Sequence, residues 1–205
     1  MSICIIDYGL GNIASIFNAI KNIGANPIVS DNPTIIKNSS HLILPGVGSF
    51  KKGMQELQDR GLDEILNLEV ISNKKPILGI CLGMQFFATT SSEGGVNKGL
   101  NWIKGDVIRI NNNLTNLRVP HIGWNDVEVT PTSRLLNNEI DTHCYFVHSY
   151  QFNAENSKYI TGKCSYGDEI TAIVEKDNIY GVQFHPEKSH ATGLKILNNF
   201  ISLKC

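Results

Sequence analysis

The feature that most constrains the fold is a short apolar run that ends in a cysteine between two glycines. Residues 76–81 read PILGIC, and the segment GICLG at 79–83 continues this run into an apparent helix over 82–88. A strand that is apolar at nearly every position is typical of a parallel sheet covered on both faces. The spacing is the cysteine form of G-x-S-x-G, in which a nucleophile stands on a strained turn between strand and helix. Small flanking residues let the neighbouring elements approach that turn.

The rest of the chain extends this prediction. The first half alternates strands with helices, and the second half contains short strands separated by Asn, Gly and Asp turns. We therefore predict an α/β fold of one domain over 1–205, with a central, mostly parallel sheet flanked by helices and an antiparallel extension of that sheet. The predicted strands are 2–7, 27–30, 41–46, 76–81, VIRI, DVEV, CYFVHSY, ITAIVE and NIYGVQF. The predicted helices follow the first strand up to Gly24 and cover 51–72 in two pieces, 82–88 and 190–203, and NNNLTN at 111–116 is expected to be a surface loop.

Composition excludes several classes of function. The net charge is −1 without a run of Lys or Arg, which argues against a nucleic-acid or membrane partner. No apolar stretch approaches the roughly 20 residues of a membrane span, and the first residues are predicted to form a strand and not a signal peptide. An odd number of cysteines without C-x-x-C spacing favours reduced thiols and a cytoplasmic protein. The five cysteines are Cys4, Cys81, Cys144, Cys164 and Cys205.

A thiol nucleophile needs a base, and one of the six histidines has a suitable acid beside it. Glu187 follows His185 by two residues in GVQFHPEKSH, and Pro186 between them favours an extended backbone. Residues i and i+2 of an extended chain share a face, so Glu187 can hold one ring nitrogen while the other faces the thiol. The preceding strand is expected to end at the same sheet edge as Cys81, where open α/β sheets bind ligands.

Each of these patterns also has a purely structural explanation. A Gly-x-Cys-x-Gly segment can arise from packing, and His-Pro-Glu can be a surface loop. Their occurrence at the ends of two predicted strands favours a Cys81–His185–Glu187 site. A zinc site is disfavoured because no fourth ligand and no paired Cys or His spacing is present, so we predict no metal.

The segment LPGVGSF at 44–50 is a candidate for binding a negatively charged oxygen. Glycines at Gly46 and Gly48, with Val47 between them, allow backbone N–H groups to turn toward a ligand at the end of the third strand. The N–H of Leu82, next to the nucleophile, would complete such an oxyanion hole. An ordinary glycine-rich turn explains this segment equally well.

The beginning of the chain offers a competing interpretation. Residues 9–14 read GLGNIA, a G-x-G-x-x-A between a strand and a helix, and Asp31 ends the second strand where an acid for a ribose is expected. A dinucleotide site is therefore an alternative. It explains less of the chain than the Cys-His-Glu set does.

Several strings together carry a family resemblance. PGVGSF at 45–50, GICLGMQ at 79–85 and GVQFHPEKS at 181–189 resemble class I glutamine amidotransferases of the triad type. DYGLGN at 7–12, VPHIGWN at 119–125 and YFVHSY at 145–150 are similar to the glutaminase subunits of imidazole glycerol phosphate synthases. The similarity extends over nearly the whole chain, and it implies a flavodoxin-like amidotransferase fold.

The resemblance implies a role for each site residue. Cys81 would attack the side-chain amide of L-glutamine, His185 would transfer the proton, and Glu187 would orient His185, with no cofactor. The residues implied to bind the substrate or its oxyanion are Gly46, Val47, Gly48, Leu82, Gln85, His148, Ser149 and Tyr150.

The resemblance also implies a partner. Such subunits form a heterodimer with a (β/α)8-barrel cyclase, which uses the ammonia to make imidazole glycerol phosphate and AICAR in histidine biosynthesis. Asn12, Tyr145 and Lys188 match positions near the subunit interface. The glycine turn at 9–11 would then face the partner instead of a pyrophosphate.

One departure leaves alternatives open. His190 follows HPEKS where histidine-pathway subunits more often have a small residue. The chain also resembles paralogues that supply ammonia for an amidino group on a nonulosonic acid precursor of cell-surface sugars. A cysteine peptidase or hydrolase on the same fold, active alone, is a further alternative. A regulatory subunit without turnover is disfavoured by the intact Cys81, His185 and Glu187.

Overall fold

The structure is a computed structural model that describes residues 2–111, 117–136 and 142–203. In the first half of the chain the elements are β1 Ile3–Ile6, α1 Ile13–Asn22, β2 Pro27–Ser30, α2 Pro33–Asn38, β3 His41–Leu44, α3 Phe50–Asp59, α4 Leu62–Asn67, β4 Ile77–Ile80 and α5 Leu82–Gln85. The second half contains β5 Thr90–Ser91, β6 Asn97–Lys98, β7 Gly105–Arg109, β8 His121–Asp126, β9 Glu128–Val129, β10 His143–His148, β11 Tyr150–Ala154, β12 Ile160–Tyr166, β13 Asp168–Lys176, β14 Ile179–Val182 and α6 His190–Ile201.

An eight-stranded sheet forms the centre of the molecule, in the order β2-β1-β3-β4-β14-β13-β12-β9. The strands from β2 to β14 are parallel, and β13, β12 and β9 add an antiparallel extension. β14 pairs in register with β4, so that Val182 lies opposite Ile80. The predicted α/β architecture is therefore confirmed, and the last strand of the chain is a neighbour of the strand that precedes Cys81.

Both faces of the parallel strands are buried, as the apolar run at 76–81 predicts. Alternate residues of one strand enter two different cores: Leu78 and Ile80 pack with α1 and α6, whereas Ile77 packs with α3 and α4. Burial on both faces removes the polar alternation of a half-exposed strand. Helices on both sides hold the sheet, and the carboxyl ends of β4 and β14 remain at one open edge.

The second half differs from the prediction of a single antiparallel extension. β10 pairs with β8 in a two-stranded sheet, and β11, β7, β5 and β6 form a separate four-stranded sheet. The predicted strands VIRI and CYFVHSY thus lie outside the main sheet, and DVEV contributes only β9 to it. CYFVHSY is interrupted because β10 ends at His148 and β11 begins at Tyr150, so the chain passes from one small sheet to the other at Ser149.

Two local differences have simple causes. α2 is not among the predicted helices, although the sequence holds two signals for its start. Asn32 caps the helix by accepting from the N–H of Thr34 at 2.9 Å, and Pro33 is its first residue. The helix expected over 82–88 ends at Gln85, because the carbonyls of Phe86 and Phe87 accept from the N–H groups of residues 100, 102 and 103 instead. Residues 112–116 of the expected surface loop, and Cys205, lie outside the described residues.

No helix in the described part of the chain is both long enough and apolar enough to cross a bilayer.

Candidate active site

Cys81 stands on a strained turn between β4 and α5. Its backbone has φ +54° and ψ −110°, in the left-handed half of conformational space that side chains other than glycine rarely adopt. The glycines on either side make this turn possible: a Cβ at Gly79 would lie 2.6 Å from the ring of Phe87, and one at Gly83 would collide with the carbonyl oxygen of Leu44. The predicted steric reason for the GICLG spacing therefore applies in this fold.

His185 reaches the same edge of the sheet from β14. Its N–H donates to the carbonyl of Tyr145 at 2.9 Å, and its side chain is buried. Nδ1 lies 2.8 Å from Oε1 of Glu187, whose carboxylate is also buried, and Oε1 accepts a second hydrogen bond from Nδ2 of Asn12 at 3.2 Å. Because a carboxylate oxygen can only accept, Nδ1 carries a proton and Nε2 remains for the thiol.

The electrostatics favour an ion pair between the thiol and the imidazole. Burial alone would lower the pKa of His185, but the interactions of the imidazole with Cys81 and Glu187 together raise it to about 10. Nε2 of His185 makes no hydrogen bond to the described residues, and the nearby Cys81 thiol makes the largest contribution that raises the pKa of the imidazole. A positive imidazole that faces sulfur stabilises the thiolate, which is the nucleophilic form of cysteine.

A pocket of about 390 Å³ opens over Cys81 and His185. The predicted binding residues that line it are Val47, Gly48, Leu82, Gln85, His148, Ser149 and Tyr150. Val47 and Gly48 are exposed, and Gly48 has φ +93°. Residues 147–150 reach the pocket because this is where the chain passes from β10 to β11.

Gly46 has a different position from its neighbours. It is buried behind the Cys81 turn, where an added Cβ would lie 2.7 Å from the backbone nitrogen of Gly83 and 2.8 Å from the hydroxyl of Tyr8. The structure thus gives Gly46 a packing role, and its participation in an oxyanion hole stays a prediction.

Two pocket features have no counterpart in the sequence analysis. Glu93 lines the pocket, and its Oε2 accepts from the N–H of Phe50 at 2.8 Å, which fixes a carboxylate in the pocket wall. Gln183 lies beneath the pocket, fully buried, with Nε2 3.6 Å from Sγ of Cys81. Gln183 belongs to the GVQFHPE string, so its proximity to His185 was a usable signal, whereas Glu93 lies in a segment without any motif.

A pair of neutral histidines supports the wall of the pocket. Nδ1 of His148 donates to the carbonyl of Tyr150 at 2.9 Å, and Nε2 of His148 then accepts from Nδ1 of His121 at 3.0 Å. Burial lowers the pKa of His148 to about 3 and that of His121 to about 4. His121 also stacks on Tyr166, with ring centroids 3.9 Å apart. Both imidazoles are therefore neutral near pH 7.

The residues expected at the partner surface lie close to the triad. Asn12 contacts Glu187, Nζ of Lys188 lies 5.5 Å from the ring centroid of Tyr145, and the N–H of Tyr145 donates to Oγ of Ser189 at 3.0 Å. The glycine turn that suggested a dinucleotide is closed by Asp7, which accepts from the N–H of Gly9 at 3.1 Å. That turn leads into Asn12, which directly precedes α1.

Comparison with known proteins identifies the family. The protein-family model that describes class-I glutamine amidotransferases matches residues 4–203, nearly the full length of the chain. The chain belongs to this family. Curated relatives of this amidotransferase are named imidazole glycerol phosphate synthase subunit HisH. HisH 2 of Methanococcus maripaludis is 48% identical over 97% of this chain and 98% of its own length. HisH 1 of Campylobacter jejuni strain RM1221 is 44% identical over 98% and 100%, and HisH of Pelagibacter ubique is 41% identical over 99% and 100%.

Solved structures support the fold of the amidotransferase. A crystal structure of a glutamine amidotransferase superimposes with a TM-score of 0.75 over 97% of this chain and 96% of its own, at 17% identity. The structure of PurLQS from Thermotoga maritima gives a TM-score of 0.69 over 98% of this chain and 97% of its own, at 16% identity. Within the residues that the structure describes, no group of three or more His, Cys, Asp or Glu side chains could hold a metal ion.

Proposed function

We propose that this chain is the glutaminase subunit of an imidazole glycerol phosphate synthase, which hydrolyses L-glutamine to glutamate and ammonia for a (β/α)8-barrel cyclase subunit. Full-length relatives at 41–48% identity that are named as HisH subunits of this synthase support the assignment. The observation that carries the chemistry is the meeting of Cys81 with the His185–Glu187 pair at one edge of the sheet.

The first half of the reaction breaks the amide bond. The Cys81 thiolate attacks the side-chain carbonyl carbon of glutamine, and the carbonyl oxygen takes up the negative charge. The backbone N–H groups of Val47 and Gly48, two exposed residues of the pocket, are with that of Leu82 the candidates that would bind this oxygen. The intermediate then collapses, the C–N bond breaks, and His185 gives its Nε2 proton to the leaving nitrogen, so that ammonia and a γ-glutamyl thioester result.

The second half restores the enzyme. His185, now neutral, takes a proton from water, and the hydroxyl attacks the thioester carbon. The C–S bond breaks with its electrons on sulfur, which regenerates the thiolate beside a protonated imidazole. Glu187 keeps Nδ1 protonated in both halves, because its buried oxygen lies 2.8 Å away and can only accept.

The pocket fits the rest of the substrate. A cavity of about 390 Å³ holds a small amino acid, and the Glu93 carboxylate at its side suits an α-ammonium group. Gln85 and the backbone of Ser149 and Tyr150 supply neutral polar groups. Glutamine carries both a cationic and an amide end, which matches this set of charged and neutral partners.

The barrel cyclase is proposed to dock beside the triad. Asn12 contacts Glu187, and the ammonium group of Lys188 lies near the ring of Tyr145, so a partner at this surface would receive ammonia close to where it forms. Ammonia that reaches water at neutral pH becomes protonated and no longer acts as a nucleophile, so a sealed contact is needed. Reduced, buried cysteines and a soluble small substrate fit a cytoplasmic location for this complex.

Reconstitution with the barrel cyclase tests the proposal. The chain and the cyclase encoded in the same genome are mixed, and glutamate release is followed with and without the cyclase ligand. We expect glutamine-dependent formation of imidazole glycerol phosphate and a higher glutaminase rate with the ligand. Product formation only with a sugar-modifying barrel would assign the paralogous pathway instead, and glutamine-independent ester or peptide hydrolysis by the chain alone would indicate a hydrolase.

A further inference from the structure

Gln183 is a buried polar side chain next to Cys81 to which the proposed reaction assigns no role. It follows β14, and its N–H donates to the carbonyl of Ala172 in β13 at 2.9 Å. The side chain is fully buried beneath the pocket and touches two functional residues. Its Nε2 lies 3.6 Å from Sγ of Cys81, and its Oε1 accepts from Nε2 of Gln85 at 3.0 Å.

One backbone carbonyl fixes the orientation of both amides. The oxygen of Tyr150 can only accept a hydrogen bond, so the Gln85 atom 2.9 Å from it is the donor Nε2. The same Nε2 faces Gln183, which must therefore present its acceptor Oε1. The remaining end of the Gln183 amide, its NH₂ group, is then directed at the Cys81 sulfur. A rotated amide would set two NH₂ groups against each other and leave the sulfur beside a carbonyl oxygen.

A hydrogen-bond donor at this position acts on the charge state of sulfur. A thiolate is a much stronger acceptor than a thiol, so the NH₂ group interacts better with the charged form. The Gln183 donor is neutral, buried and held from behind, and it needs no reorganisation when charge appears on sulfur. The sulfur becomes negative twice in the cycle, first before attack and again when the C–S bond of the thioester breaks.

We propose that Gln183 is a further catalytic residue, which donates a hydrogen bond to the Cys81 thiolate and fixes Gln85 in its binding orientation. His185 and Gln183 then both stabilise negative charge on the sulfur. His185 does so with a proton that it can transfer, and Gln183 with an N–H that stays in place. The role of Gln85 toward substrate rests on the proposed function. The contact to sulfur does not, because it is a property of this chain alone.

Alkylation of Cys81 by iodoacetamide tests the proposal without glutamine or a partner. The rate is measured on the full-length chain between pH 5 and 10 by mass spectrometry of the Cys81 peptide. We expect Gln183→Met to slow alkylation near pH 6 about tenfold and to displace the pH profile upward by about one unit. Gln151→Met, the same substitution at a second buried glutamine, is the matched control and should follow the parent profile.

Gln85 gives the second variant. Gln85→Met removes the group that orients the Gln183 amide, so it should slow alkylation less than Gln183→Met does. The double variant should be no slower than Gln183→Met, because the two residues act on sulfur in series. A parent-like pH profile in Gln183→Met would overturn the proposal, and if that variant does not fold, a parent-like profile in Gln85→Met would do so. If the parent chain showed no glutaminase activity, the alkylation results would still stand. The proposed function and the proposed role of Gln183 can therefore fail separately.

Discussion

Oε1 of Glu187 lies 2.8 Å from Nδ1 of His185, although only Pro186 separates the two residues along the chain. The pair is closed off from solvent: His185 is 2% exposed, and the Glu187 side chain is 0% exposed. A single carboxylate oxygen thus sets the tautomer and the angle of the imidazole. The second oxygen, Oε2, makes no hydrogen bond to any described residue, so orientation depends on Oε1 alone.

Replacement of this oxygen is expected to stop the imidazole from acting as a base. Glu187→Gln keeps the size of the side chain but can present an NH₂ group to Nδ1, which favours the wrong tautomer. We expect kcat for glutamine hydrolysis by the complex to fall at least about 100-fold, with a smaller change in KM. Glu128→Gln, an exposed position of β9, serves as the control and should retain parent kinetics. A Glu187→Gln variant with unchanged kcat would contradict the orienting role.

Removal of the nucleophile should separate glutamine hydrolysis by this chain from ammonia-dependent synthesis by the cyclase. Cys81→Ala is expected to abolish synthesis from glutamine and to leave synthesis from added ammonium salts intact in the complex, because the acceptor site belongs to the cyclase. Product is measured with each nitrogen source at saturating concentration. Loss of both activities would show that the division of labour between the subunits is wrong.

Covalent labelling should select one cysteine. A glutamine analogue that carries an electrophile is expected to modify Cys81, while Cys4 and Cys164 stay unlabelled, because burial raises the pKa of their thiols to about 11 and about 12. Peptide mass spectrometry after partial labelling locates the adduct. A Cys205→Ser background removes the terminal thiol from the comparison. An adduct at Cys4 or Cys164 ahead of Cys81 would argue against the assigned nucleophile.

The charge of His185 can be followed directly. Desolvation acts to lower the pKa of His185, and the interactions with Cys81 and Glu187 raise it to about 10. Cys81→Ala removes two of the raising contributions, so the imidazole should titrate at a clearly lower pH than in the parent. Nuclear magnetic resonance of the ring nitrogens between pH 5 and 11 measures this shift. An unchanged titration would mean that the sulfur does not pair with Nε2.

The two neutral histidines make the fold sensitive to acid. Burial lowers the pKa of His148 to about 3 and of His121 to about 4, below the ordinary value of 6.5, so the unfolded chain binds more protons between these limits. Their contribution to stability is present above pH 6.5 and is lost as the pH falls toward 4. We expect His121→Phe, which retains the stack on Tyr166, to reduce this acid-induced loss by roughly 1 to 2 kcal/mol.

Chemical denaturation at pH 7 and at pH 4.5 measures the difference. Tyr166→Phe keeps the ring stack and leaves both histidines in place, so its stability should fall with acid as steeply as that of the parent. An equally steep fall in His121→Phe would show that other groups cause the sensitivity.

The predictions from the sequence were most accurate where a single physical reason accounts for the residue at a position. The buried run before Cys81, the two glycines around it and the i, i+2 relation of His185 and Glu187 each follow from sterics or backbone geometry, and the structure reproduces all of them. Glu93 could not be found in this way. It reaches the pocket only because α3 begins nearby and its Phe50 N–H binds the carboxylate, a contact between residues 43 positions apart.

The distribution of the strands in the second half of the chain over three sheets could not be predicted from the sequence either. Short polar-apolar alternation predicts strands but not their partners, since pairing depends on contacts far along the chain. The change of sheet at Ser149 follows from the separate partners of β10 and β11, which are β8 and β7. That change of sheet brings residues 147–150 to the pocket, so the motif YFVHSY indicated a functional segment before its geometry could be inferred.

The order of strands has a consequence for how this protein comes into being. The strand that carries His185 inserts between β4 and β13, with more than 90 residues of chain synthesised between it and Cys81. A nascent or truncated polypeptide that ends before β14 therefore lacks His185, the proposed proton acceptor of Cys81. We expect such a fragment to leave glutamine intact, because the proposed hydrolysis needs both Cys81 and His185.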